Sequence, residues 1–79
     1  MKINIFGSTG VIGKKTLELI DKDFTNIKIN LICAKSNFKL LKKQIYKYNP
    51  KYAFLYDIDR FPKFNYKINK TKILNFNEL

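Results

Sequence analysis

The chain has 79 residues and a mass of 9.4 kDa, with 16 Lys and Arg against 6 Asp and Glu and no His. Domains usually run ~100–200 residues, so this length holds at most one small domain and excludes a complete enzyme with separate cofactor and substrate domains. Without His there is no His base, no His metal ligand and no Ser–His or Cys–His pair, and the single Cys33 excludes an internal disulfide and a Cys-based zinc site.

Lys2 to Phe6, reading KINIF, is rich in β-branched and aromatic residues and predicts a first strand over 2–6 that stops at Gly7. The turn GSTGVIG follows, then KKTLELIDK. Gly13, Leu17 and Ile20 recur at i, i+4, i+7 and share one helical face, predicting a helix near 12–21. After a polar linker, Ile27, Ile29 and Leu31 alternate with Lys28 and Asn30, which predicts a second strand over 27–33. Lys35, Ser36 and Asn37 form a turn. Leu41, Ile45 and Tyr48 then lie on one face of a helix over 38–48, with lysines on the wet face and Asn49-Pro50 as its end. YAFLY predicts a third strand over 52–56, apolar throughout as in a buried parallel strand.

Beyond Asp57 the pattern weakens. DIDRFPKFNYKINK has no clean period, and Pro62 opposes a full helix. KILNF predicts a fourth strand near 72–76, and Asn77 to Leu79 read as the start of an unfinished element. The order strand, helix, strand, helix, strand gives two βαβ units. Right-handed crossovers place their strands parallel in the order 3-2-1. The fold expected is therefore α/β: an incomplete, Rossmann-like doubly wound parallel sheet of three to four strands and two helices, spanning 1–79 as a partial nucleotide-binding domain. Such a sheet leaves an edge bare, and the apolar strand Tyr52 to Tyr56 is expected at or near it.

Gly7-x-x-Gly10-x-x-Gly13 sits where a dinucleotide fingerprint belongs, although the spacing departs from the commoner G-x-G-x-x-G. Gly7 allows the sharp turn, Gly10 a close approach of backbone to pyrophosphate, and Gly13 tight packing of the first helix. The N–H groups of Gly10, Val11 and Ile12 would then face the phosphates, aided by the helix dipole, with Ser8 and Thr9 adding hydroxyls. The alternative is a glycine turn with no ligand. At the end of the second strand an NAD site carries Asp or Glu on the ribose 2′-OH. Here stand Cys33, Ala34, Lys35, Ser36 and Asn37, and Lys35 and Ser36 suit a 2′-phosphate. On the other reading Asn37 caps the second helix and Lys35 is one of fifteen solvated lysines.

A net charge of +10 suggests a polyanion partner, and the aromatics and lysines interleaved in YDIDRFPKFNYKINK would suit single-stranded nucleic acid. The alternative is a biased vocabulary, since Asn occurs nine times, Ile eleven and Arg once, as AT-rich codons dictate; this makes nucleic acid the weaker reading. Asp57 and Asp59 lack a third metal ligand. Cys33 has no base to activate it and reads as a small core residue. No apolar run approaches the ~18 residues of a membrane span, and MKINIFGSTG has no signal-peptide core, so an intracellular, reducing compartment is expected.

Together these residues resemble the N-terminal part of the 1-deoxy-D-xylulose 5-phosphate reductoisomerase family. That family opens with a strand, GSTGSIG and T-L-D-x-I; Gly7 to Gly13 read GSTGVIG, followed by Thr16 to Ile20, TLELI. Ala34-Lys35-Ser36-Asn37 matches its second turn, and Leu40-Leu41, Gln44-Ile45, Pro50 and Tyr52 match its L-L-x-x-Q-I and P-x-Y segments. The resemblance runs to about residue 57. It implies conversion of 1-deoxyxylulose 5-phosphate to 2-C-methylerythritol 4-phosphate with NADPH and Mg²⁺ or Mn²⁺, in non-mevalonate isoprenoid biosynthesis. NADPH contacts are implied at Thr9, Gly10, Val11, Ile12, Ser36 and Asn37, with no metal ligand and no catalytic residue in this chain. It also implies a cytoplasmic or plastid-like location, a homodimeric full-length protein, and a missing catalytic domain or split-gene partner. Lys35 replaces the family's usual glycine and Val11 its usual serine. Two other readings are a basic module that has lost its cofactor and a segment of a semialdehyde-dehydrogenase-like NADP enzyme.

Overall fold

In the computed structural model, which describes residues 2–23, 27–57 and 67–75, the first element is the predicted strand, β1, Lys2–Phe6. It ends at Gly7, whose φ of +72° lies in the left-handed region that L side chains rarely adopt. The first helix, α1, spans Val11–Asp23, one residue earlier and two later than its apolar period predicts. Gly13, Leu17 and Ile20 are all buried, as one shared face requires. Strand β2 is Lys28–Ala34, shifted by one residue from the prediction.

Helix α2, Phe38–Tyr48, lies where its pattern placed it. The Asn37 side chain accepts the Leu40 N–H at 3.1 Å, capping the first turn. Asn49 ends the helix in the left-handed conformation at φ 48°, and its N–H donates to the Ile45 carbonyl at 3.0 Å. Pro50 cannot continue the helix.

The sheet has the order β1-β2-β3-β5-β4, where β3 is Tyr52–Leu55, β4 is Lys67–Ile68 and β5 is Thr71–Ile73. β1, β2, β3 and β5 are mutually parallel, and β4 runs antiparallel to β5. The expected order of the first three strands is present. The expected position of Tyr52 to Tyr56 at or near a bare edge is not. β3 is the middle strand, between β2 and β5, with Ala53, Phe54 and Leu55 buried. Ala53 and Leu55 join the cluster under the helices and Phe54 a second, smaller cluster, so successive residues of β3 are apolar without alternation. Among the described residues the outer strands are β1 and β4.

The predicted fourth strand near 72–76 is β5, and the fifth strand, β4, is added by a tight turn at Asn69-Lys70. Asn69 takes φ 56° there, and its side-chain amide donates to Asn49 Oδ1 at 2.7 Å. The buried Thr71 hydroxyl donates to the Pro50 carbonyl at 2.6 Å. Both bonds tie the β4–β5 hairpin to the end of α2. The expectations for Asp59 and Pro62, and for the chain after Asn75, lie outside the described residues.

Right-handed crossovers put both helices on one side of a sheet that grows in one direction. The burial agrees: Leu17, Ile20, Leu41 and Ile45 join Ile5, Ile32, Ala53, Leu55 and Ile73 in one cluster. Each such Leu or Ile contributes ~1.5–3 kcal/mol on burial. Leu31, Cys33, Phe54 and Leu74 form a smaller cluster of their own. Among the described residues no helix is long and apolar enough to cross a membrane.

Candidate functional site

The loop between β1 and α1 is fixed by its own backbone and by two neighbouring elements. The Ser8 N–H donates to the Cys33 carbonyl of β2 at 2.9 Å. The Ser8 carbonyl accepts from Gln44 Nε2 of α2 at 2.7 Å. Within the loop, the Gly10 N–H donates to the Gly7 carbonyl at 3.0 Å. The Gly10 N–H, expected to face a phosphate, closes the turn in this structure. The Gly10 carbonyl accepts the first helical bond, from Lys14 at 2.9 Å.

Gly13 is the tightest point. A Cβ there would overlap the Gly7 carbonyl and lie 2.8 Å from Ser8 Cα. No side chain fits, so the first turn of α1 rests directly on the loop. The N–H groups of Val11, Ile12 and Gly13 precede the first available helical acceptor and have no hydrogen-bond partner among the described residues. No acidic residue sits in the first turn of α1 to offset the dipole's positive end. Three free donors and a partial positive charge make this helix start suited to an anion such as a pyrophosphate. Val11 and Ile12 are exposed, and Thr9 is half-buried.

Lys35 is exposed at the end of β2, and its carbonyl accepts the Asp57 N–H at 2.8 Å. It shares a cleft of about 500 Å³ with Gly7, Cys33 and Ala34 at the carboxyl ends of β1, β2 and β3. Open α/β sheets bind ligands at this end. Phe6, Phe54 and Tyr56 also line the cleft, and sequence reasoning assigned them no role. Their signal was position, since each lies at the carboxyl end of a parallel strand. Ser36 and Asn37 do not line it. Asn37 caps α2, as one of its two readings had it, and Ser36 takes the Phe38 N–H at 2.8 Å through its carbonyl. The structure thus brings Lys35 beside Gly7 and places Ser36 and Asn37 on the helix side of the turn.

Gln44 also reaches this loop, a contact that the sequence reading did not assign. It lies three residues from Leu41 on the buried face of α2, and only its carboxamide distinguishes it from a core residue. Cys33 is buried, and desolvation pushes its thiol up to about 11. It is protonated near neutrality and no nucleophile. Among the described residues no group of three or more His, Cys, Asp or Glu could hold a metal ion.

The family model for 1-deoxy-D-xylulose 5-phosphate reductoisomerase matches residues 3–77. The chain belongs to that family. It is 38% identical over 77 residues to the 1-deoxy-D-xylulose 5-phosphate reductoisomerase of Thermodesulfovibrio yellowstonii, a match covering 98% of this chain and 20% of that protein. The corresponding protein of Pelagibacter ubique is 38% identical over 76 residues, covering 96% of this chain and 20% of the relative. That of Wolbachia pipientis from Culex pipiens is 44% identical over 62 residues, covering 78% and 16%. The chain therefore spans about one fifth of the length of the curated reductoisomerases it matches. The resemblance read from GSTGVIG and from Leu40 to Tyr52 extends well past residue 57, through the β4–β5 hairpin.

Proposed function

We propose that this chain is the NADPH-binding N-terminal portion of a 1-deoxy-D-xylulose 5-phosphate reductoisomerase. One observation carries the reading: the free N–H groups of Val11, Ile12 and Gly13 stand at a helix start that Gly13 locks against Gly7. These residues fit a pyrophosphate. The Val11 and Ile12 N–H groups would hold its oxygens, with the Thr9 hydroxyl beside them and Gly10 bringing no side chain. The Lys35 ammonium, with Ser36 and Asn37 following it and no Asp or Glu at that place, would take a 2′-phosphate. Phe6 and Tyr56 would cover the cofactor from water at the strand ends. When bound, NADPH supplies a hydride.

In the whole enzyme this hydride would reduce the aldehyde formed by rearrangement of 1-deoxyxylulose 5-phosphate, giving 2-C-methylerythritol 4-phosphate for isoprenoid synthesis. The Mg²⁺ or Mn²⁺ ligands and the substrate residues belong to the four fifths of the family's length that this chain does not match. Turnover would need those residues. The chain acts with a catalytic domain or split-gene partner, as part of a homodimeric enzyme of the cytoplasm or a plastid-like organelle.

Calorimetric titration with NADPH and NADH tests this. One charge-assisted pair is worth ~1.4 kcal/mol or more, so NADPH binds about tenfold tighter or better. Equal affinities would show that Lys35 reads no 2′-phosphate.

A second reading has its own observation. Lys2, Lys28, Lys51 and Lys70 line a cleft of about 510 Å³ at the amino ends of the strands, with Asp21 as its one acid. A polyanion held there would dissociate steeply with salt. Nucleic-acid binding that survives Lys35→Asp and is lost on Lys28→Glu would favour this basic-module reading.

A further inference from the structure

Gln44 is 5% exposed, yet it carries a polar carboxamide into the apolar face of α2, between Leu41 and Ile45. Burying an amide costs ~1–3 kcal/mol unless it is hydrogen-bonded. Its hydrogen bond runs 36 residues back along the chain, from Nε2 to the Ser8 carbonyl at 2.7 Å. Gln44 Oε1 and Ser8 Oγ are both buried at this junction without a partner among the described residues. A Leu or Met of similar volume would fill the same core space and strand neither atom of the carboxamide. Core packing therefore does not account for the choice of Gln, whereas its bond to the loop does.

The Ser8 peptide is gripped from both ends. Its N–H is held by Cys33 of β2 and its carbonyl by Gln44 of α2. The carbonyl belongs to the peptide that leads into Thr9, Gly10 and the free N–H groups at the start of α1. Rotation of that peptide would shift the backbone of Ser8 on which Gly13 and the first turn of α1 rest. The Gly7–Gly10 bond closes the turn but leaves this plane unset, because both its ends lie inside the turn.

We propose that Gln44 is a positioning residue for the glycine loop: its carboxamide fixes the Ser8 carbonyl and so the direction of the N–H donors of Val11, Ile12 and Gly13. The proposal rests on the dinucleotide reading for its functional consequence but not for its geometry. Gln44 does not line the cleft beside Lys35 and Gly7; α2, the helix that follows Lys35, orients the glycine loop through it. Both cofactor-contacting segments are thereby set by one helix.

The test uses the full 79-residue chain, the variants Gln44→Met and Gln44→Glu, and NADP⁺ as the probe. Gln44→Met keeps the volume and removes the donor. Gln44→Glu removes the donor when ionised and restores one when protonated. In the ligand-free chain, amide NMR resonances of Thr9 to Gly13 shift in both variants at pH 7.5, while those of β3 stay. In Gln44→Glu the loop resonances return toward the unmodified positions as pH falls and the carboxyl protonates. NADP⁺ affinity drops about tenfold or more in Gln44→Met. In Gln44→Glu, the ratio of its affinity to that of the unmodified chain at the same pH recovers on acidification, a comparison that cancels the titration of the ligand's own phosphate. Loop resonances that ignore both variants overturn the proposal, as does equal loss of affinity at every pH in Gln44→Glu. If Gln44→Met does not fold, the pH series in Gln44→Glu decides alone, and an unfolded Gln44→Glu at every pH assigns Gln44 to the core and also overturns the proposal. Loop resonances that move in a chain that binds no NADP⁺ leave Gln44 positioning the loop and overturn the dinucleotide reading.

Discussion

Gly13 packs so closely on Gly7 that its missing side chain is what lets α1 start where it does. A Cβ on Gly13 would meet the backbone of Gly7 and Ser8, which Cys33 and Gln44 hold in place, so no flexible side chain can give way. Gly13→Ala pushes the first turn of α1 off the loop. We expect a loss of ~1–3 kcal/mol of stability, the cost of overpacking a site that cannot yield, outweighing alanine's better helix propensity of ~1 kcal/mol. Denaturant melts check this. A Gly13→Ala chain as stable as the original would show that the loop relaxes freely.

Lys35 is exposed and fills no core space, so changing it should leave the fold unaffected. Lys35→Asp places a carboxylate where a 2′-phosphate would sit and where a ribose 2′-OH can donate to it. The preference for NADPH over NADH is expected to vanish or reverse, with the melting temperature unchanged. Competition of the two cofactors in one fluorescence titration reads the ratio directly.

Cys33 ties stability to alkaline pH. Its thiol, raised to about 11 by burial, keeps its proton in the folded chain after the unfolded chain has lost it. Between the ordinary thiol range and about 11 the folded state binds more protons, so stability falls as pH rises through that window and is complete below it. Lysines and tyrosines titrate there too, so the comparison is with Cys33→Ala. The stability difference between the two chains, measured by urea melts, is expected to shift in favour of Cys33→Ala as pH climbs from 8 toward 11. Alkylation of the native thiol by iodoacetamide should be slow at pH 8.

The sheet's outer strand β1 ends in Phe6, 70% exposed, next to Val11 at 69% and Ile12 at 81%. This apolar group borders a strand with one edge unpaired among the described residues, and such edges invite a second chain. The +10 charge opposes association at ~0.01 M salt, where the repulsion reaches over ~30 Å, and fails to at ~1 M, where its reach falls to ~3 Å. Sedimentation should show a larger species at high salt, reduced by Ile12→Lys. A monomer under both conditions would contradict this use of the β1 edge.

The fold was largely legible because its signals are local. Leu17 and Ile20, like Leu41 and Ile45, repeat at helical spacing, and Asn49-Pro50 ends α2 through a conformation that asparagine tolerates. What escaped was set by tertiary pairing. The run YAFLY looks the same whether a strand is central or at an edge, and only the β4–β5 hairpin, joined to Asn49 through Asn69, decides that β3 is central. β4 is two residues long, too short for any period. In the site, Gly7 and Gly13 announced themselves, while Gln44 did not. Its spacing from Leu41 marks a core position, and nothing local shows that its amide reaches Ser8, 36 residues away.

The central claim is that the start of α1 is a cradle for the phosphates of NADP⁺. The most direct measurement is a titration of NADP⁺ into the isotopically labelled chain, followed by amide NMR. The account predicts that the N–H resonances of Val11, Ile12 and Gly13 shift first and furthest, with Lys35 following and the Lys2–Lys28 end of the sheet unmoved. Shifts confined to Lys2, Lys28, Lys51 and Lys70, or no shift at Val11 to Gly13 under saturating NADP⁺, would contradict it.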